Sequence, residues 1–399
     1  MEPACILCWL LWTELRETVR ANFPSLSLHF EVVLAECGIL GIKKPWRPVT
    51  VVFEGPPGPG KSLVLNCLLG ATSEEVRAWL YRSDKFSTAS FVSQCASIER
   101  KKLNKVDLLP RIKNKVLITP ELAPIFRGKG EEIEGRFSIL ARVLDGRGLT
   151  VDGGTHGRRG YEGDYPFLWL GATTYLPTVA FDAMASVGNR IFFFDTLPPR
   201  PTLEELANLA MRGGSARNEE ACTKACDVLL DHFFTEHLDD KNGSPGLLEQ
   251  PTLEQKEADV IASAAWMIAR LRAQKQGQEE YEYRIVESLT FLTQGRAAIE
   301  GSSVVLPKHL AIIRHIAMSS ARPELRPLIA GLLRGGSGTL DVGQVEELSD
   351  CNRDTALKRM KMLAGTRVCT FHQGGAPKKL SCLLLAPETI RLMTGDLGI

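Results

Sequence analysis

The chain has 399 residues, of which 44% are hydrophobic, so it is long enough to bury more than one apolar core. Its 48 Lys and Arg residues nearly balance its 47 Asp and Glu residues, which excludes a chain that binds nucleic acid through overall positive charge. The apolar opening MEPACILCWLLW lacks basic residues and is too short to span a bilayer, so we expect a cytoplasmic protein without a membrane partner.

The first predicted unit is a strand, a glycine-rich loop and a helix over residues 51–70, VVFEGPPGPGKSLVLNCLLG. The loop fits the pattern G-x-x-x-x-G-K-[ST], whose backbone N–H groups wrap phosphates at the N-terminus of a helix. Lys61 is predicted to reach the β- and γ-phosphates of ATP, and the Ser62 hydroxyl to bind Mg²⁺. The predicted nucleotide-binding residues of this P-loop are Gly55, Pro56, Gly58, Gly60, Lys61, Ser62 and Leu63.

A second strand is predicted in NKVLITPEL, at residues 116–118, and Glu121 follows it. A P-loop enzyme needs an acidic residue at such a strand end, and Glu121 has the position that polarises the attacking water. Pro120 stands where the usual pattern has an Asp. We therefore expect either that Ser62, phosphate oxygens and water hold Mg²⁺, or that hydrolysis is slow.

Two further strands complete the predicted sheet. YPFLWLGATTYLP ends in the polar residues Thr173 and Thr174, and ASVGNRIFFFDT places Arg190 directly before an apolar strand. This order of P-loop, acidic strand, polar-tipped strand and Arg before a final strand resembles the AAA+ ATPases. The resemblance implies that Thr174 has the sensor-1 position. It also implies that Arg190 is an arginine finger for a neighbouring subunit's nucleotide, and hence a homo-oligomeric ring, most often a hexamer.

The sequence pattern of residues 135–174 predicts a helix, a short strand, a Gly-rich tip and a return strand. The pattern resembles the β-hairpin before sensor 1 in minichromosome-maintenance helicases, McrB- and MoxR-like ATPases and bacterial enhancer-binding activators. In the helicases this hairpin tracks DNA in the central pore, so the resemblance implies a DNA-binding tip. The tip would carry His156, Arg158, Arg159 and Tyr161. The alternative is a loop that contacts another subunit or a protein substrate, without nucleic acid.

Residues 200–325 are predicted to form an α-helical lid, because apolar positions recur at helical spacing in YEYRIVESLTFLTQGRAAIEGSSVVLPKHLAIIRHIAM. Within the resemblance, Arg284 has the sensor-2 position and is a predicted nucleotide-binding residue. Arg296 is the rival candidate for that role, and a structural surface role is the alternative for both.

The last segment, residues 326–399, is predicted to be a winged helix-turn-helix. The helix RDTALKRMKMLAG follows the turn SDCN, and the strands RVCTF and KLSCLLL fit a wing. Together the helix and the wing carry a local basic surface that the net charge hides. The predicted DNA-binding residues here are Arg353, Lys358, Arg359, Lys361, Lys378 and Lys379. Docking of a protein partner is the alternative role.

The sequence thus predicts an α/β fold with a P-loop AAA+ parallel sheet and flanking helices at residues 25–199, after an N-terminal segment at residues 1–24. The lid and the winged helix follow. The predicted function is a ring-forming, ATP-hydrolysing motor that acts on DNA, with ATP and Mg²⁺ as cofactors. Two alternatives stay open: a MoxR-like ATP-dependent protein remodeller, and a regulatory assembly switched by ATP binding alone.

Overall fold

The fold is that of a computed structural model of the chain. The structure describes residues 3–43, 47–58, 60–93, 102–153, 157–188, 190–196, 202–211, 215–239, 245–273, 280–334, 338–373 and 382–385. Among the helices in these ranges, none combines the length and the apolar character that crossing a lipid bilayer requires.

Two helices precede the sheet, α1 (Pro3–Asn22) and α2 (Ser27–Leu40). In α1, the buried residues Trp12, Leu15 and Val19 recur every three or four positions, so one face of the helix packs on the core. Almost all of α2 is buried, because its sequence is apolar on every side.

An α/β unit follows, in which helices connect the strands. Its elements are β1 (Thr50–Glu54), α3 (Lys61–Leu69), α4 (Glu74–Trp79), β2 (Leu80–Arg82), α5 (Leu103–Val106), α6 (Leu108–Ile112), β3 (Val116–Thr119), α7 (Ala123–Phe126), α8 (Gly130–Val143), β4 (Gly148–Gly153), β5 (Gly157–Glu162), β6 (Leu168–Thr173), α9 (Thr178–Val187) and β7 (Phe192–Asp195). The strands predicted around the P-loop, Glu121, Thr174 and Arg190 are confirmed as β1, β3, β6 and β7.

Five parallel strands form the main sheet in the order β2-β3-β6-β1-β7. Val51 and Phe53 of β1 point into one apolar core, and Val52 points into the other, on the opposite face. The sheet is therefore buried on both faces, as parallel sheets usually are. Because the strands are parallel, all their carboxyl ends lie at one edge of the sheet and all their amino ends at the other.

β4 and β5 form a separate antiparallel hairpin, as the Gly-rich pattern predicts. The edge strand β2 is an element that the sequence pattern did not predict. It has three residues, which is too short for an alternation of apolar and polar positions to be visible.

A helical part follows the sheet, as predicted for residues 200–325. It contains α10 (Leu203–Met211), α11 (Ala216–His237), α12 (Gln255–Arg272), α13 (Tyr283–Ile299) and α14 (Ala311–Ser319). α13 packs closely on α2, where a Cβ atom on Gly38 would lie 2.1 Å from the Gly295 carbonyl oxygen. α2 also contacts the sheet, because the His29 ring lies 5.3 Å from the ring of Phe53 in β1.

In its described residues, the C-terminal unit contains three helices and three short strands. They are α15 (Arg326–Arg334), β8 (Thr339–Asp341), α16 (Val342–Ser349), α17 (Arg353–Gly365), β9 (Cys369–His372) and β10 (Cys382–Leu385). The strands form an antiparallel sheet in the order β8-β10-β9. Asn352 caps α17, since its side chain accepts a hydrogen bond from Thr355 N–H at 3.0 Å.

The larger apolar core extends through the whole chain, from Cys8 in α1 to Cys369 in β9. It includes residues from the N-terminal helices, the sheet, the helical part and the C-terminal unit. The domain boundaries at residues 24, 199 and 325 stay predictions.

Candidate functional site

The P-loop lies at the carboxyl edge of the sheet, between β1 and the N-terminus of α3. Lys61, the first residue of α3, donates from Nζ to the carbonyl oxygens of Gly55 at 2.9 Å and Pro56 at 2.5 Å. Burial lowers the pKa of Lys61, and the nearby carboxylates of Glu121 and Glu54 oppose this effect. The lysine ammonium is therefore held inside the loop, close to two acidic groups.

The glycines of this loop adopt a backbone conformation that other residues avoid. Gly58 and Gly60 have φ angles of +98° and +96°, and a Cβ atom on Gly60 would lie 2.6 Å from Leu26 Cδ1. Gly55 has a φ of +156°, and a Cβ atom there would lie 2.5 Å from Thr196 Oγ1. Positive φ angles before a helix N-terminus turn backbone N–H groups toward one point, which fits a phosphate group.

Glu121 lies just after β3, at the same edge as Lys61. Its side chain is exposed, and Oε1 accepts a hydrogen bond from Ala123 N–H at 2.8 Å, which caps the start of α7. Among the described residues, no three His, Cys, Asp or Glu side chains are grouped to hold a metal ion by themselves. The donors near the loop that suit Mg²⁺ are the exposed Ser62 hydroxyl and the Glu121 carboxylate, so the nucleotide phosphates would have to supply further ligands.

The two threonines at the end of β6 differ in their surroundings. Thr173 pairs in register with Glu54 of β1, and its Oγ1 is buried without a hydrogen-bond partner among the described residues. Thr174, which the sequence predicts as sensor 1, is half-buried at the same edge of the sheet. Because β6 lies between β1 and β3, this threonine pair lies between the P-loop and the Glu121 loop.

Arg190 and Arg284 meet at the opposite, amino edge of the sheet. Arg190 Nε lies 3.3 Å from Asp145 Oδ1, and Arg284 Nη2 lies 3.7 Å from the same oxygen. The three residues line one small depression together with Pro48, which precedes β1, and Phe192, the first residue of β7. The structure therefore brings Arg284 to Arg190 and not to Lys61.

This separation decides which nucleotide the arginines can reach. A strand of five residues such as β1 spans about 17 Å, so side chains at its two ends do not meet on one phosphate group. Arg190 and Arg284 consequently cannot complete the P-loop of their own chain. The rival Arg296 is 1% exposed and lies in a buried ion-pair network with Glu31 and Glu300.

The β4–β5 hairpin differs from the expected DNA-binding tip in the position of Tyr161. Arg158 and Arg159 lie near the turn, but Tyr161 pairs with Leu149 at the base of the hairpin. Its hydroxyl donates to Asp107 Oδ2 at 2.8 Å, and the ring is half-buried. Tyr161 therefore anchors the hairpin on the segment before α6 and does not offer a free ring for base stacking.

The two arginines of the hairpin also have partners within the chain. Arg158 forms an ion pair with Glu162, and Arg159 donates to the Ser93 carbonyl oxygen at 3.4 Å. His156, at the predicted tip, lies outside the described residues.

Four cationic residues of the C-terminal unit lie on α17. Arg353, Lys358 and Lys361 are exposed, while Arg359 donates to the Ser349 carbonyl oxygen at 3.3 Å and so ties α17 to α16. Ala356, Met360 and Leu363 form the buried side of the helix, as its spacing predicts. Lys378 and Lys379, predicted on the wing, lie outside the described residues.

Sequence reasoning missed three charged residues at the carboxyl edge, Glu54, Asp195 and Arg326. Arg326 forms buried ion pairs with Glu54 and with Asp195. The acidic residues leave a signal in the sequence, since each ends an apolar strand. Arg326 leaves none, because it lies 272 positions from Glu54.

A scan against protein-family models gave no match, and a search of curated proteins gave no significant match.

Proposed function

We propose that this chain is an ATP-hydrolysing motor that assembles into a ring and acts on DNA. One observation carries the proposal. A P-loop with Lys61 inside it shares the carboxyl edge of the sheet with Glu121 and Thr174, while Arg190 lies at the amino edge. Such a chain has each part of an ATPase site, but the arginine needs a second copy of the chain to reach the nucleotide.

The residues of the carboxyl edge have separate roles in the binding and hydrolysis of ATP. The N–H groups of the loop and Lys61 bind the phosphates, and the Ser62 hydroxyl would hold Mg²⁺, which would supply positive charge against the phosphates. Glu121 would orient the attacking water with its carboxylate, which also accepts the hydrogen bond from Ala123 N–H at the start of α7. Thr174, or the buried Thr173 hydroxyl beside it, aligns that water from the neighbouring strand.

The arginine pair at the amino edge supports the assembly into a ring. Arg190 and Arg284 both approach the carboxylate of Asp145. The charge of Glu280, which pairs with Arg272, also acts on them. Three arginines and two carboxylates therefore leave this group with a positive balance. The phosphates of a nucleotide on a neighbouring subunit are the partner that this balance favours. We propose that both arginines bind that nucleotide. Arg284 is then a nucleotide-binding residue, but for the nucleotide of the neighbouring subunit.

The C-terminal unit supports the action on DNA. Its order of helix, strand, two helices and two strands, with β10 between β8 and β9, is the order expected of a winged helix. α17 would be the recognition helix, since Arg353, Lys358 and Lys361 are exposed on it. Lys361 also lies 5.9 Å from the ring of Phe371 in β9, so the cationic face reaches the first strand of the wing.

The test of the proposed function is ATP turnover by the purified chain, with and without single- and double-stranded DNA, at two salt concentrations. We expect DNA to stimulate turnover, and we expect salt to weaken the stimulation because phosphate contacts release counterions. Lys61→Ala and Glu121→Gln should abolish turnover. Glu131→Gln, a change at an exposed acidic residue in the first turn of α8, is the matched control and should leave turnover unchanged.

Two outcomes would contradict the motor. Turnover that is indifferent to DNA at both salt concentrations would favour the protein remodeller, and assembly driven by ATP without turnover would favour the regulatory switch. The remodeller has one observation in its favour, because the aromatic residue of the hairpin, Tyr161, is engaged with Asp107 inside the chain.

Replacing Lys358 and Lys361 together by alanine should weaken DNA binding and leave basal ATP turnover intact. The logarithm of the DNA-binding constant falls linearly with log salt, and each lysine that contacts a phosphate makes this slope about one unit steeper. The slope of the double variant should therefore be about 2 units shallower. Fluorescence anisotropy with labelled duplex DNA measures the slope. The control is Lys224→Ala with Lys256→Ala, two exposed lysines on α11 and α12, and equal effects of the two double variants would exclude α17 as the DNA-binding helix.

A further inference from the structure

A buried arginine joins the C-terminal unit to the carboxyl edge of the parallel sheet. Arg326, the first residue of α15, is 9% exposed. Its Nη2 donates to Glu54 Oε2, and its Nε donates to the Ala321 carbonyl oxygen at 3.0 Å. Its Nη1 lies 3.5 Å from Asp195 Oδ2 and has no hydrogen-bond partner among the described residues. One guanidinium group therefore links α15 to the ends of two neighbouring strands, β1 and β7.

Glu54 is the residue through which Arg326 contacts the candidate ATP site. The carboxylate is fully buried, and Oε1 accepts a hydrogen bond from Leu176 N–H at 2.9 Å. Leu176 belongs to the loop that carries Thr174, and the P-loop begins directly after Glu54, at Gly55. The carboxylate thus holds the Thr174 loop against the start of the P-loop.

The positive charge of Arg326 favours the ionised form of the Glu54 carboxylate. Burial raises the pKa of Glu54, while the charge of Arg326 and the hydrogen bond from Leu176 N–H oppose the rise. Without the guanidinium, Glu54 would be either an uncompensated buried charge or a neutral acid. In both cases its hold on the Thr174 loop would change.

The fold at this edge does not depend on Arg326 alone. The backbone of Asp195 is held by α14, because its N–H donates to Ser319 Oγ at 3.0 Å and its carbonyl oxygen bonds to His315 Nε2 at 2.8 Å. His315 also stacks on Phe194 with ring centroids 4.1 Å apart. Removal of the guanidinium should therefore disturb the Thr174 loop more than it disturbs β7.

We infer that Arg326 is a positioning residue through which the C-terminal unit controls ATP hydrolysis. Arg326 holds Glu54, and Glu54 holds the Thr174 loop in the arrangement that hydrolysis needs. This inference rests on the proposed function, since it assumes that the P-loop binds and hydrolyses ATP.

The test compares kcat and KM for ATP in the full chain and in Arg326→Ala. A misplaced catalytic loop costs about 10-fold to 100-fold in rate, so kcat should fall by that factor. KM should stay within about 3-fold, because Lys61 and the loop N–H groups still bind the phosphates. Arg326→Lys keeps the charge but cannot bridge Glu54, Asp195 and Ala321 at once, so it should restore part of kcat. It also serves as the milder variant if Arg326→Ala does not fold.

The matched control is Arg322→Ala. Arg322 lies four residues before Arg326 and binds Asp182 of α9 at 2.8 Å, so it ties the segment just before the C-terminal unit to the α/β unit, but away from Glu54. We expect Arg322→Ala to leave kcat unchanged. Equal losses in the two alanine variants, or a loss of kcat that only follows a lower melting temperature, would overturn the inference. If the wild-type chain hydrolyses no ATP, the proposed function fails and the inference fails with it.

Discussion

Replacing Arg190 by alanine is expected to lower ATP turnover by about 1000-fold while ATP binding changes little, because an arginine finger stabilises the charge of the transferring phosphoryl group. The geometry adds a stronger expectation. Arg190 lies at the amino edge and Lys61 at the carboxyl edge, so the proposed function requires Lys61 from one chain and Arg190 from the next at each ATP site. A mixture of Arg190→Ala and Lys61→Ala chains should therefore regain part of the turnover that each variant lacks alone.

The mixing experiment separates a shared site from a site within one chain. Regain of turnover on mixing shows that the two residues act from different copies, and no regain at concentrations that support assembly would contradict the ring. Arg47→Ala is the matched control. Arg47 lines the same depression as Arg190 but pairs with Glu287 at the surface, so its loss should change turnover by less than about 3-fold.

Replacing Arg296 by methionine is expected to lower the free energy of unfolding by about 3–5 kcal/mol, since removal of one partner from a buried ion pair leaves uncompensated charge. Arg296 is 1% exposed, and it donates to Glu31 at 3.0 Å and to Glu300 at 2.8 Å. Its guanidinium also lies 3.7 Å from the centre of the Trp12 ring. One arginine of α13 thus holds both N-terminal helices, and urea unfolding followed by circular dichroism measures its contribution.

The control for this variant is Arg16→Met. Arg16 Nε lies 3.7 Å from Glu31 Oε1, but its side chain is 34% exposed, so water screens the pair and the expected loss is below about 1 kcal/mol. Similar losses of unfolding free energy in Arg16→Met and Arg296→Met would show that burial of an ion pair does not determine how much the pair stabilises the fold.

The same network predicts how the stability responds to acid. Burial alone would raise the pKa of Glu300, but the hydrogen bond from His309 and the charge of Arg296 lower it to about 2 from the ordinary value of 4.5. A carboxyl group with a lowered pKa stabilises the fold above its unfolded pKa, and this contribution of roughly 3 kcal/mol is lost as the pH falls from about 5 toward 2. The difference in stability between wild type and Arg296→Met should accordingly shrink over that interval.

The strand, loop and helix around the P-loop could be predicted because their causes are local. An apolar β-branched run favours a strand, glycines favour the positive φ angles that Gly58 and Gly60 adopt, and the helix begins where the glycines end. The hairpin and the buried side of α17 follow in the same way from turn residues and from the spacing of apolar positions. These elements lie within about 20 residues of chain, where local preference and pattern act directly.

The order of strands and the meeting of distant side chains were decided by tertiary structure. Neither the position of β6 between β1 and β3, nor the contact of Arg190 with Arg284, follows from residues near them in sequence. Tyr161 was placed at the tip of the hairpin because aromatic and basic residues cluster there in the sequence, whereas its hydroxyl binds Asp107, 54 positions away. The partner of a polar group depends on which segments the apolar core brings together.

By itself, the sequence determined a glycine-rich loop of the P-loop pattern between a buried strand and a helix, an antiparallel hairpin, and a basic helix near the C-terminus. Only the tertiary structure decided that Lys61 and Arg190 lie at opposite edges of one sheet, and that Arg326 of the C-terminal unit reaches Glu54 beside the P-loop. The physical reason is the same in both cases. Backbone preferences act over a few residues, while burial and charge pairing act between any residues that packing places in contact.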